Sequence, residues 1–89
     1  MNQILGMFYI VYLLRSKKDN GFYIGYTSRL EIRVEQHNSG KVESTRYRRP
    51  LELVYFESYK DEFLAKERER KLKQFGSSFN GLLKRLNYR

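Results

Sequence analysis

Eighty-nine residues, 40% of them apolar and 31% charged, suffice for one small core and exclude a disordered chain. Eighteen Lys and Arg against ten Asp and Glu leave a net charge of +8, a strong field on so small a body, for which polyanions are the natural partners. The absence of Cys excludes disulfides, thiolate zinc sites and cysteine nucleophiles, and a single His excludes a His-rich metal cluster. The longest apolar stretch, residues 4–14, is too short to span a bilayer and lacks the basic start and cleavage site of a signal peptide. The expectation is a soluble cytoplasmic protein with no membrane partner.

Residues 8–14 (Phe-Tyr-Ile-Val-Tyr-Leu-Leu) have no polar face and predict a strand covered on both sides. Residues 16–21 form a turn cluster, sharpest at Asp19-Asn20-Gly21, and residues 22–26 resume as a second strand, so a hairpin is expected. Ser28 and Glu31 have the spacing of a capping box and predict a helix that runs through Leu30, Val34 and His37 to Asn38-Ser39-Gly40. Residues 41–50 show no period and read as a basic loop. Residues 51–59 alternate Leu51, Leu53, Tyr55 with Glu52, Val54, Phe56 and predict a third strand. Asp61 is a cap for a second helix over 62–75, ended by Gly76, and Phe79, Leu82, Leu83 and Leu86 are spaced for a short third helix. The order is β-β-α-β-α-α, an α+β domain, with no repeat or linker inside residues 1–89.

Several residues carry two readings each. Arg33 and His37 lie four apart on one helix face, which suits a solvated edge or a paired site. Tyr12 and Tyr23 on adjacent strands suit core packing or chemistry. Gly25 inside a strand marks the close approach of a backbone or a ligand. On the second helix Leu64, Ala65, Leu72 and Phe75 form an apolar arc with Glu69 at its border, either a neighbour of Arg68 or Lys73 or a hard oxygen ligand. In the loop, Ser44-Thr45-Arg46-Tyr47-Arg48-Arg49 sets three guanidiniums and a ring beside two hydroxyls, suited to phosphate contact and base stacking or simply to solvation.

These residues, in this order, resemble the GIY-YIG endonuclease superfamily, especially its short bacterial members. Tyr23-Ile24-Gly25 matches the second half of the signature. Ile10-Val11-Tyr12, ten residues earlier, matches the first half with Ile in place of Gly. Residues 30–40 look like the family's Arg-bearing helix, residues 41–55 like its third-strand region, and residues 65–73 like the helix with the metal-binding Glu. The likeness covers about residues 7–86; residues 1–6 are expected to be a short extension.

The resemblance implies a three-stranded antiparallel sheet flanked by helices, its first strand central, and metal-dependent hydrolysis of DNA phosphodiester bonds. Glu69 would hold Mg2+ or Mn2+. Tyr12 and Tyr23 would face the scissile phosphate, Arg33 would bind it, and His37 would polarise a Tyr or water. Asn80 loosely echoes a C-terminal Asn of repair-type members. Lys41, Arg46, Arg48, Arg49 and Lys73 are the expected nucleic-acid contacts. Many relatives take specificity from an attached DNA-binding module; here the domain's own surface, a protein partner or a dimer would supply it. The competing expectations are a nucleic-acid-binding module of the same fold with little cleavage, on DNA or RNA, and a protein-interaction domain.

Overall fold

A computed structural model describes residues 7–89; the expected extension, residues 1–6, lies outside them. The strands are β1 (Tyr9–Ser16), β2 (Phe22–Thr27) and β3 (Leu51–Tyr59), and the helices are α1 (Leu30–Asn38), α2 (Glu62–Leu72) and α3 (Ser77–Arg85). The sheet is antiparallel in the order β2-β1-β3.

The unbroken apolar run of β1 has its physical reason in that central place. Val11 and Leu13 enter one core with Ile24, Ala65, Leu72, Phe79, Leu82 and Leu83, beneath α2 and α3. Ile10, Tyr12 and Leu14 enter the other with Leu30 and Leu51, beneath α1. Alternate side chains of a strand point to opposite faces, so a strand between two helical layers has no side left for polar residues. Ile10, which stands where the resemblance expected Gly, is completely buried and fills the second core.

β3 pairs with β1 through a register shift between Leu13 and Leu14: Leu13 faces Tyr55 while Leu14 faces Leu53. The extra residue, Val54, breaks strict alternation. Val54 and Tyr55 therefore both pack on the first core, and Leu53 packs on the second.

The hairpin turn places Asn20 in the left-handed region at φ 62, where Asn is tolerated. The Ser16 hydroxyl accepts the Lys18 and Asp19 N–H groups (both 3.1 Å) and donates to the Arg48 carbonyl (2.6 Å). Asp19 forms an ion pair with Arg48 at 2.8 Å, and the Lys17 N–H reaches the Pro50 carbonyl at 2.8 Å. The basic segment 41–50 is thus fastened to the hairpin and contains a 3-10 turn, Arg46–Arg48.

Three local expectations are corrected. The Ser28/Glu31 capping box does not form: α1 begins at Leu30 with Arg29 at its cap and no side-chain cap bond. Thr27 Oγ1 instead accepts the Arg29 N–H at 3.0 Å, which fixes the entry one residue too late for Ser28 to cap. The helical part of α2 stops at Leu72, and Phe75, not Gly76, takes the left-handed position at φ 55. Of the apolar arc on α2 only Ala65 and Leu72 are buried; Leu64 and Phe75 are exposed. The face seated on the sheet is narrower because Arg68 occupies part of it, bonded to Glu57 of β3 at 3.1 Å.

Asp61 caps α2 as expected, accepting the Phe63 and Leu64 N–H groups at 2.8 and 3.4 Å. Asp61→Ala is expected to lower stability by about 1 kcal/mol, read from urea denaturation midpoints at constant slope.

Candidate active site around Tyr12

Tyr12 of β1 pairs directly with Gly25 of β2, and paired residues share a face of the sheet. A Cβ built on Gly25 would lie 2.3 Å from Tyr12 Cζ and from its hydroxyl oxygen. The missing side chain is therefore the space that the phenol occupies: the group that comes close to this strand glycine is a side chain, neither the backbone nor the ligand that the sequence suggested. Tyr23, two residues before Gly25, points to the same face; its ring lies 6.3 Å from that of Tyr12.

α1 lies over these rings. His37 is completely buried, edge-on to Tyr23 at 4.8 Å and to Tyr12 at 5.8 Å. Its Nε2 is 2.9 Å from the Tyr12 hydroxyl and its Nδ1 is 2.7 Å from Thr45 Oγ1. The Thr45 hydroxyl is turned to the Val42 carbonyl at 3.5 Å. One proton arrangement satisfies this chain: Tyr12 donates to Nε2, Nδ1–H donates to Thr45, and Thr45 donates to Val42. The second hydroxyl that holds the imidazole thus comes from the basic segment. Thr45, one of the two hydroxyls in the tract read as suited to phosphate contact or to solvation, does neither, since it is wholly buried. No signal in the sequence singles it out; only once His37 is seen to be buried does its second nitrogen require a partner.

Arg33, one turn before His37, sits at the rim and donates to Gln36 Oε1 at 3.0 Å. It also acts on Tyr12. Burial pushes the Tyr12 phenol up to about 12, hydrogen bonding and charge from Arg33 oppose that rise, and the charges of Tyr23 and Glu69 add to it. His37 moves the other way, down to about 4, through burial and then the positive charge of Arg33. At neutral pH both members of the pair are uncharged.

Glu69 comes from α2, on the far side of the sheet edge from α1, yet its charge reaches Tyr12 and Tyr26. It is 21% exposed and paired with Lys73 at 3.0 Å. Lys73, not Arg68, is its partner. Two open depressions reach this cluster. One, about 450 Å³, is lined by Tyr26, Arg29, Arg33 and Gln36. The other, about 350 Å³, is lined by Tyr23, Ser44, Arg48, Lys73 and Phe75 among others.

The remaining expected residues are dispersed. Lys41, Arg46 and Arg49 are exposed on the basic segment, where Arg46 stacks on the Tyr47 ring at 5.2 Å and Arg49 donates to the Arg46 carbonyl at 2.7 Å. Arg48 is bound to Asp19, which draws that carboxyl down to about 2. Asn80 stands apart on α3, where its side chain accepts from Arg89.

The family description "GIY-YIG catalytic domain" matches residues 8–87. The chain belongs to the GIY-YIG family. This is a family of nucleases, so a nucleic acid is the general substrate class of the fold. Among similar GIY-YIG relatives, a UPF0213 protein of Staphylococcus haemolyticus is 42% identical over 66 residues, 73% of this chain and 79% of the relative. A UPF0213 protein of Haloquadratum walsbyi is 36% identical over 69 residues, 76% of each chain. The solution NMR structure of the UPF0213 protein BH0048 from Bacillus halodurans superposes with a TM-score of 0.56 at 32% identity, covering 90% of this chain and 85% of that one. No helix among the described residues is long and apolar enough to cross a membrane.

Two measurements test this geometry. Gly25→Ala forces a carbon against a ring that is itself sealed by His37, and is expected to destabilise by about 1–3 kcal/mol in urea denaturation. His37 holds its proton less readily when folded than its ordinary value of 6.5, so the unfolded chain binds protons more readily between pH 6.5 and about 4. Stability is therefore expected to fall as pH drops through that window. His37→Gln should flatten the fall between pH 6.5 and 5, where exposed carboxylates are still ionised.

Proposed function

We propose that this domain is a divalent-metal-dependent endonuclease that hydrolyses phosphodiester bonds in DNA, preferring branched, nicked or otherwise irregular structures. One observation carries the reading: a single buried phenol, Tyr12 of β1, is bonded to His37 of α1 with Arg33 of the same helix beside it, and the charge of Glu69 on α2 reaches it as a smaller effect.

The residues fit a cation delivered with its substrate. No group of three or more His, Cys, Asp or Glu among the described residues makes a ready cage. Mg2+ often takes only one or two carboxylates and completes its shell with water and substrate phosphate, and the partly exposed Glu69 offers one hard oxygen donor group. Mg2+ or Mn2+ held there supplies Lewis-acid neutralisation of the phosphate and its leaving oxygen.

The chain's own residues do the rest. Arg33 binds the phosphate and stabilises the charge that grows on it. Tyr12 and Tyr23 orient the attacking water. A phenol held near 12 is no base by itself, but it can take a proton from water while passing its own to His37 Nε2, whose Nδ1–H remains on Thr45. The incoming phosphate offsets the Arg33 charge that depresses His37 and so makes the imidazole a better acceptor. A setting in DNA repair or recombination, in the cytoplasm, belongs to the same reading.

The test is a cleavage screen on branched, nicked, single-stranded and plain duplex DNA with Mg2+ or Mn2+. Glu69→Gln and Tyr12→Phe are expected to lower cutting by at least about a hundredfold while DNA binding persists. No cutting of any substrate with either metal, or wild-type rates in Glu69→Gln, would overturn the enzymatic role. Salt-sensitive binding with no cutting would instead favour the binding-module reading that the +8 charge also supports.

A further inference from the structure

Phe75 is in an unusual position for its residue type. It follows α2 at φ 55, a left-handed backbone conformation that ordinary side chains rarely adopt and glycine adopts freely. A glycine stands next to it, yet Gly76 lies at φ −99 and a Cβ there would meet nothing within 4 Å. The Phe75 ring is also 56% exposed, so the core does not explain it. Phe79 meets it edge-on at 5.0 Å and 86°, which holds the ring upright from beneath.

That ring forms one wall of the 350 Å³ depression already described. Tyr23 lies in the same depression, and so does Lys73, whose ammonium pairs with Glu69. The depression thus runs from the proposed reacting centre to an exposed aromatic face. Arg48 and Ser44 of the basic segment line it as well. Arg48 spends Nε and Nη2 on Asp19, an ion pair that fixes the guanidinium in place. The volume lies at the lower end of small-ligand pockets, the scale of one nucleoside unit.

We propose that this depression binds one unpaired nucleotide of single-stranded DNA beside the scissile phosphate, its base stacked on Phe75 and its phosphate held by Lys73 and Arg48. A base in a continuous duplex cannot offer its face to a side chain, so the subsite selects strands with an unpaired or displaced nucleotide. This deepens the nucleic-acid reading of the site and rests on it, but it does not depend on cleavage.

The chain contains no Trp, so Phe75→Trp introduces a single indole reporter. The probes are a labelled single-stranded oligonucleotide and a fully paired duplex of equal length, at low salt with chelator. Anisotropy reads binding, and indole fluorescence reads stacking. The expected result is quenching by the single strand and little by the duplex. Phe75→Gly removes the ring and relieves the left-handed backbone. Its melting temperature is expected to stay within about 4 °C of wild type, while single-strand affinity falls roughly 5- to 100-fold. Three results would overturn the subsite: a bound single strand that leaves the indole unquenched, wild-type affinity in Phe75→Gly, or a large drop in its melting temperature, which would make the ring a part of the fold. Absence of binding to either DNA would remove the nucleic-acid reading itself, and the subsite with it.

Discussion

The arrangement depends on a phenol buried where only glycine can oppose it. Tyr12 occupies the volume that a side chain on Gly25 would fill, and its hydroxyl then bonds the His37 ring, with Arg33 beside it at the rim. A buried hydroxyl without a partner is costly, and so is a buried imidazole. The two satisfy each other, and Thr45 satisfies the remaining nitrogen. Every buried side-chain polar atom among the described residues has a partner. The consequence is a polar chain that crosses from the sheet through α1 into the basic segment while both titratable members remain neutral.

The catalytic reading adds charge only at the border of this neutral chain. Arg33 approaches from the rim of α1, and Glu69 from the partly exposed flank of α2. Charges at a border keep some hydration and remain available to a substrate, whereas the interior supplies rigidity. The opposite displacements of Tyr12 and His37 follow from this layout. Burial disfavours phenolate and imidazolium alike, and Arg33 then helps the first and hinders the second.

Much of the architecture was legible because it follows from local pattern. A strand buried on two faces has to be apolar throughout, and residues 8–14 are. Asp19-Asn20-Gly21 has turn chemistry, and Asp61 stands where a helix needs an acceptor. Arg33 and His37 share a face because any helix puts i and i+4 together. Other features were not legible because they are settled by tertiary competition. A helical wheel ranks Leu64, Ala65, Leu72 and Phe75 as one arc, but the Arg68–Glu57 pair decides which part of that arc the sheet covers. Ser28 and Glu31 have the right spacing for a cap that the Thr27 turn pre-empts. Thr45 sits among exposed cations in sequence and points inward in space. That the charge of Glu69 reaches Tyr12 was not legible either, since nothing local relates residues 12 and 69.

The segment over residues 41–50 faces two ways. Arg46 and Arg49 extend into solvent, while Thr45, between Ser44 and Arg46, grips the imidazole that serves Tyr12. Four further ties, through Ser16, Lys17, Lys18 and Asp19, moor the same stretch to the hairpin. A polyanion that settles on this stretch meets cations already arranged, with little ordering left to do on contact. Any displacement of this stretch also carries the Thr45 hydroxyl, so the seat of the basic segment and the orientation of the buried imidazole are mechanically one variable.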